Sequence, residues 1–316
     1  MRLLILGSNF GKLHLRAAMK SNKFSKISIA SPNINQKKIL NSINKYSNFK
    51  KALNSERYEM ISIAVTPTEQ HKILNFILKK KLFTNFILLE KPILDKSILL
   101  LKRFPRKTFF LTNFIYSFDK KWIFFKKKIK NISDIISFDY TWYFKQHYFI
   151  NRIKTWKITP QKGGGLINYY LPHAVFNILN NFNDAKFLKI NKKKYQRKNL
   201  IYLDIIFLLK NKHCHLKISN NSNKNLHKFS VITTKTEYSL INNSANWLSN
   251  FKFLKKDNEI YNSRFVNQKS KESRLATLIS IYSNLQKYYS KGNTLLNKKL
   301  TYKTFKIIKN INKKIL

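Results

Sequence analysis

The chain has 316 residues, with 62 Lys and Arg against 14 Asp and Glu for a formal charge of +48, and only six Gly, six Pro and one Cys. That length suits two ordinary domains, and the lone Cys214 excludes an internal disulfide or a Cys-based metal cluster, so no metal site is expected and a reducing compartment fits. The charge would suggest nucleic acid or an anionic membrane, but 53 of the basic residues are Lys, the poorer reader of bases and phosphates, so the excess looks like the codon pressure of an AT-rich genome and nucleic acid is not the expected partner.

The opening apolar run stops at Gly7, too short for a signal-peptide core, and no uninterrupted apolar run approaches the ~18 residues of a membrane span. A cytoplasmic location, without membrane association, is the expectation. Arg2 to Leu6 (RLLIL) reads as a buried strand, Gly7-Ser8-Asn9-Phe10-Gly11 as a turn, and Leu13, Ala17 and Ala18 as one face of a helix. Strand, glycine turn and helix open a dinucleotide-binding unit, in which backbone N–H groups approach a pyrophosphate at the positive end of the helix. The usual G-x-G-x-x-G spacing would place glycine at 7, 9 and 12. This chain has Gly7 and Gly11, and a loop one residue shorter with Asn9 at a left-handed bend is expected.

A second strand is predicted at Lys26 to Ser31 and a helix from about Asn35 to Tyr46. Glu56 is the first acidic residue in the chain, so no carboxylate stands at the end of the second strand to bind a ribose 2'-hydroxyl in the way that favours NAD. Ser31, Asn33, Lys37 and Lys38 stand there instead. Hydroxyl, amide and ammonium groups suit a 2'-phosphate, so NADP(H) is favoured over NAD(H).

Glu59 to Val65 is the next strand, ending at Thr66-Pro67-Thr68 with His71 shortly beyond. Thr84 to Leu89 ends at Glu90-Lys91-Pro92, and Lys107 to Asn113 closes the series. Strands alternating with helices at this spacing predict a parallel sheet covered on both faces. Ligands of such sheets bind beyond the carboxyl ends of the strands, where all these motifs fall.

After residue 115 the pattern changes to strands at 134–144, 187–191, 199–209, 213–219, 229–235 and 238–242, with helices at 269–289 and 302–313. The expected architecture is α/β: a dinucleotide-binding Rossmann domain over 1–115, then an α+β domain over 116–316 with an open, mainly antiparallel sheet, helix 302–313 packing back on the first domain. Runs such as Lys126 to Lys128 and Lys192 to Lys194 read as solvated faces. Between the first two strands of the second domain lie Gly163-Gly164-Gly165 and, eight residues on, His173 at the head of an apolar helix.

The glycine turn, Thr66-Pro67 with His71, Glu90-Lys91-Pro92, and the glycine run with His173 stand in an order that resembles the glucose-fructose oxidoreductase and inositol dehydrogenase (Gfo/Idh/MocA) family. The resemblance spans nearly the whole chain, Trp156 and Pro160 included. It implies hydride transfer between NAD(P) and a hydroxyl or carbonyl carbon of a sugar, cyclitol or nucleotide-sugar. By the resemblance, residues 7–11, Ser31, Asn33, Lys37, Thr66, Pro67, His71, Glu90 and Lys91 would bind cofactor. Lys91, Trp156, Asn168, Tyr169 and His173 would face substrate. Lys91 would hydrogen-bond the nicotinamide ribose and the reacting oxygen, and His173 would donate or accept the proton, roles that suit an ammonium and an imidazole. One departure stands out: Tyr169 occupies the position, four residues before His173, where the family usually has Asp. A changed substrate, a new role for Tyr169 or lost catalysis would each follow from it, and a non-catalytic sensor or partner subunit is the alternative. Self-association through the exposed face of the second sheet is expected.

Overall fold

The computed structural model describes residues 1–34, 42–151, 153, 155–245, 250–256, 258–260, 273–290 and 293–315. They group into two compact units: Met1–Asn113 with the described residues of Ser270–Tyr302, and Phe114–Lys269 with Lys303–Leu316.

In the first unit, β1 (Arg2–Leu6), α1 (Gly11–Ser21), β2 (Lys26–Ala30), β3 (Asn44–Tyr46), α2 (Phe49–Ser55), β4 (Met60–Ile63), α3 (Pro67–Lys79), β5 (Phe86–Leu89), α4 (Asp95–Leu101) and β6 (Phe109–Thr112) follow one another. The six strands lie in the order β3-β2-β1-β4-β5-β6, all parallel. MISI, FILL and FFLT are buried at every position, as strands covered on both faces require. The chain order reverses between β1 and β4, which places the crevice of such a sheet beside Gly7. Asn44–Tyr46 corrects the predicted helix: these residues form a short edge strand on β2, while 35–41 lie outside the described residues.

In the second unit come α5 (Lys120–Lys130), β7 (Ile135–Lys145), α6 (His147–Ile150), α7 (Leu171–Asn181), β8 (Lys186–Gln196), β9 (Asn199–Leu209), β10 (Lys212–Ser219), β11 (Asn221–Thr233), β12 (Glu237–Asn242), β13 (Lys252–Lys255) and β14 (Asn258–Glu259). Its eight-stranded sheet runs β14-β13-β12-β11-β7-β10-β9-β8. It is antiparallel except where β10 pairs with β7. Phe138, Tyr140 and Trp142 alternate into the core with Leu203, Ile205 and Phe207, while Asp139, Thr141, Lys217 and Lys228 are not buried.

Several predicted bounds move. Helix α5 was not expected, because its lysines hide the Trp122, Phe125 and Ile129 stripe; Asp119 caps it by accepting from the N–H groups of Lys121 and Trp122. Strand β8 runs through Lys192–Lys194, which stay exposed on this edge strand. Strand β11 begins at Asn221, and β13 and β14 extend the sheet. The predicted terminal helices are α8 (Ser273–Ser283), α9 (Leu285–Ser290) and α10 (Asn293–Ile315). The division between the units falls inside α10, after Tyr302. Among the described residues no helix is long and apolar enough to cross a membrane.

Candidate functional site

The turn after β1 is fixed by Gly7. Its φ is +110°, its N–H donates to the Ala30 carbonyl at 2.8 Å, and a Cβ there would stand 2.4 Å from the Ala64 oxygen. The left-handed residue of the turn is thus Gly7; Asn9, expected at that bend, has an ordinary φ. Asn9 is exposed and Phe10 half-exposed, and Phe10 at the cap position of α1 makes no side-chain cap. The helix therefore starts with uncapped N–H groups at its positive end, beside the crevice. Gly11 packs against Ile5, whose Cγ2 would lie 3.3 Å from an added Cβ. A turn with no side-chain bulk at either end, at this place in the sheet, fits a dinucleotide pyrophosphate.

Ser8 and Ser31 join across the ends of β1 and β2, their buried hydroxyl oxygens 2.8 Å apart. Asn33 is exposed; Lys37 and Lys38 lie outside the described residues. Thr66 stands at the cap position of α3 without a side-chain cap, and Pro67 lies in the helix's first turn, the position that suits proline's fixed φ and missing N–H. The His71 Nδ1 lies 3.2 Å from the Ser97 hydroxyl, and burial, then the charge of Lys96, hold its pKa below the ordinary imidazole range.

At the end of β5 the structure brings together residues that the sequence reading did not connect. The Glu90 Oε1 lies 3.0 Å from His14 Nε2 and accepts from Asn113 Nδ2 at 2.6 Å. Behind it, His14 Nδ1 is 2.8 Å from the Ser62 hydroxyl and 2.9 Å from that of Tyr282, which donates to Ser62 Oγ at 3.2 Å. His14 is 0% exposed. Gln70 Nε2 donates to the Glu90 carbonyl at 2.7 Å. Lys91 is half-buried, and its bond to Pro92 is cis. The signals in the sequence were slight: His14 falls on the apolar face of α1, and Asn113 at a strand end like Glu90. Nothing local marks Tyr282, which is 268 residues from His14.

In the second unit the glycine run is spent on close packing. Gly163 and Gly165 have φ of +84° and +79°, and a Cβ on Gly164 would lie 2.2 Å from the Trp156 carbonyl oxygen. Leu166–Tyr170 then form one π-helical turn that leads into α7. Trp156 and Tyr169 meet edge to face at 5.7 Å. Asn168 Nδ2 donates to the Pro160 carbonyl, and its Oδ1 accepts from Asn312.

His173 is 2% exposed, its ring edge-on to Phe114, Tyr116 and Trp142 at 5.9, 5.6 and 6.3 Å. Tyr116 and Trp142 also flank His227, 4.9 and 4.8 Å away. The Tyr140 hydroxyl lies 2.7 Å from His227 Nε2. Burial pushes the His227 pKa down to about 3. Sequence reasoning missed His227, which alternation along β11 places on the buried face.

Residues 1–99 match a family model described as "GFO_IDH_MocA: Oxidoreductase family, NAD-binding Rossmann fold". No curated protein sequence matches the chain. Among solved structures, a dehydrogenase (MviM) from Clostridium difficile is 15% identical with a TM-score of 0.74, the match covering 99% of each chain. An inositol dehydrogenase homolog from Azotobacter vinelandii, complexed with NAD+, is 10% identical with a TM-score of 0.76 over 99% of this chain and 95% of that one. The transcriptional regulator Gal80p from Kluyveromyces lactis is 12% identical with a TM-score of 0.75 over 99% of this chain and 91% of that one. These likenesses extend the shared fold through both units. The match over residues 1–99 agrees with the six-stranded parallel sheet of the first unit, a Rossmann fold similar to that of the Gfo/Idh/MocA oxidoreductases.

Proposed function

We propose that the protein is an NAD(P)-dependent oxidoreductase acting on a CH–OH or carbonyl carbon of a sugar, cyclitol or nucleotide-sugar. The observation that carries this reading is the Gly7–Gly11 turn, bare of side-chain bulk at the crevice of a parallel sheet whose sequence matches the family. The turn and the start of α1 hold the pyrophosphate, with Thr66 and Pro67 alongside. The bound dinucleotide supplies hydride acceptance and donation. Lys91 donates a hydrogen bond to the nicotinamide ribose and to the reacting oxygen, where an ammonium stabilises developing alkoxide charge. His173 gives or takes the proton. The absence of an acid at the end of β2, with Ser31 and Asn33 in its place, favours NADP(H) over NAD(H).

Fluorescence titration tests the cofactor: NADPH is expected to bind at least several-fold more tightly than NADH, and equal affinity or a preference for NADH would overturn that choice. Turnover is tested on a panel of sugars, cyclitols and nucleotide-sugars with both dinucleotides. His173→Ala is then expected to lower turnover by roughly 10²- to 10⁴-fold with cofactor affinity nearly unchanged.

One observation favours a second reading, a dinucleotide- or sugar-binding relative that regulates and does not catalyse. His173 is almost wholly enclosed by aromatic rings, and Tyr169 stands where the family usually has Asp. Tight dinucleotide binding with no turnover on any member of the panel selects this reading.

A further inference from the structure

Glu90 is held at its N–H, its carbonyl and one carboxylate oxygen, Oε1. Its N–H donates to the Ile63 carbonyl at 3.3 Å, its own carbonyl accepts from Gln70, and its carboxylate accepts from Asn113 and faces His14. A carboxylate oxygen can only accept, so the imidazole proton facing it sits on Nε2. Nδ1 then accepts from the Ser62 hydroxyl, whose oxygen accepts from Tyr282. The chain Tyr282, Ser62, His14, Glu90 runs in one direction, each group donating to the next. It starts on α8, passes through β4 and α1, and ends on the residue before Lys91. The Glu90 side chain is 13% exposed, and its Oε1 takes the bonds from both His14 and Asn113.

We propose that His14 and Glu90 are positioning residues: the His14–Glu90 hydrogen bond, shared with Asn113, fixes the backbone from which Lys91 reaches the nicotinamide ribose. The inference rests on the dinucleotide reading above. Charge-assisted hydrogen bonds with little solvent competition are the strong ones, and the same imidazole sits on the helix that begins at the Gly7–Gly11 turn. One side chain therefore ties the pyrophosphate turn to the lysine. Glu90 acts through Lys91 and does not itself need to touch the cofactor.

Lys91 reports on its own position through its reactivity. Acetic anhydride labelling, read by mass spectrometry of the Lys91 peptide with and without saturating NADPH (or NADH, where that is the dinucleotide bound), gives a protection factor independent of turnover. Wild type is expected to show protection. His14→Phe, which keeps a ring and removes both hydrogen bonds, and Asn113→Leu, which removes the other donor, are expected to reduce protection at least about threefold, in line with loss of a net hydrogen bond. Dinucleotide affinity should remain measurable and circular dichroism unchanged.

The two amides separate positioning from mere filling of space. The Gln amide nitrogen can occupy the place of Nε2, and that of Asn the place of Nδ1. His14→Gln is therefore expected to restore protection and His14→Asn to leave it low. Full protection in both His14→Phe and Asn113→Leu, or equal rescue by Gln and Asn, overturns the inference and leaves the cofactor reading standing. Binding by wild type without protection of Lys91 overturns the inference and the role of Lys91. A wild type that binds neither dinucleotide overturns the cofactor reading and the inference with it. Should His14→Phe fail to fold, Asn113→Leu and the amide pair carry the test.

Discussion

Each unit contains a glycine turn that feeds a helix with a buried histidine, and the two arrangements differ in what the burial serves. In the first, Gly7 lets two backbones cross beside a crevice, and His14 is enclosed by partners able to bond both its nitrogens: a carboxylate on one side, hydroxyls on the other. In the second, Gly164 lets the chain fold onto the Trp156 carbonyl, and His173 and His227 sit among aromatic rings. The first histidine is placed by directional bonds that transmit position to a neighbour. In the second unit aromatic rings enclose both histidines, and the Tyr140 hydroxyl meets His227 at Nε2. A bare count of buried histidines would have treated them alike.

The sharpest way to break this comparison is at the glycines. Gly7→Val forces a branched side chain into positive φ and against the Ala64 oxygen, and is expected to cost about 3 kcal/mol or more. Gly164→Val meets three backbone atoms within 2.6 Å and is expected to cost about 2–3 kcal/mol, from overpacking without the φ penalty. Urea unfolding measures both. Only Gly7→Val should also abolish dinucleotide binding in whatever fraction stays folded. Gly11→Ala, facing one movable Ile5 methyl, should cost under about 1 kcal/mol. If Gly7→Val folds and binds like wild type, the turn is not the site.

The second prediction uses pH. His227 has a folded pKa of about 3, held down by burial, against an unfolded value of about 6.5. Between those values the unfolded chain binds a proton that the folded chain refuses. Stability from this group is therefore complete above about pH 6.5 and falls as pH drops, by up to about 1.4 kcal/mol per pH unit. The groups facing its ring, Tyr116 and Tyr140, have pKa values pushed up by burial and stay neutral throughout. Carboxylates such as Glu56 and Glu59, whose partners hold them low, keep their contribution across this window and lose it only at lower pH. Urea midpoints from pH 6.5 to 5 are expected to fall in wild type and to fall less in His227→Phe. An equal slope in the variant would remove His227 as the cause.

The parallel sheet was legible because its strands are covered on both faces, so RLLIL, MISI and FILL stand out as short, mostly apolar runs between glycine and proline signals. The strand ends that bear Gly7, Thr66, Glu90 and Lys91 followed directly. The lysine-rich segments were not legible: in α5 and β8 charged residues crowd the solvent side and obscure the apolar stripe or the alternation that marks the element. The knot around Glu90 was hidden for another reason. Its members come from six separated stretches, and local pattern carries no information about which distant hydroxyl meets which imidazole. Enclosure of His173 by Tyr116 and Trp142 was likewise invisible, since only the folded unit brings residues from the short turn Ile115–Phe118, β7 and α7 into one core.

The smallest expected effect concerns Tyr169, which stands where the resemblance implies Asp. Its ring lies edge-on to Trp156 and within 4.9 Å of Tyr170, with the Lys157 ammonium 5.8 Å from its centroid. These contacts use the ring face and edge, and Phe preserves them. Tyr169→Phe is therefore expected to cost at most the net worth of a hydroxyl's hydrogen bond, about 1.5 kcal/mol. Its effect on turnover distinguishes the two readings of this unit. A hydroxyl that has taken over from the usual carboxylate would make Tyr169→Phe nearly as damaging as His173→Ala, whereas a ring that only packs would leave steady-state rates close to wild type. Measuring kcat and KM for both variants on the same substrate decides it. Loss in His173→Ala alone would show that directional chemistry persists within the aromatic enclosure, and the contrast with the His14 knot would then lie in how each histidine is held, not in whether it acts.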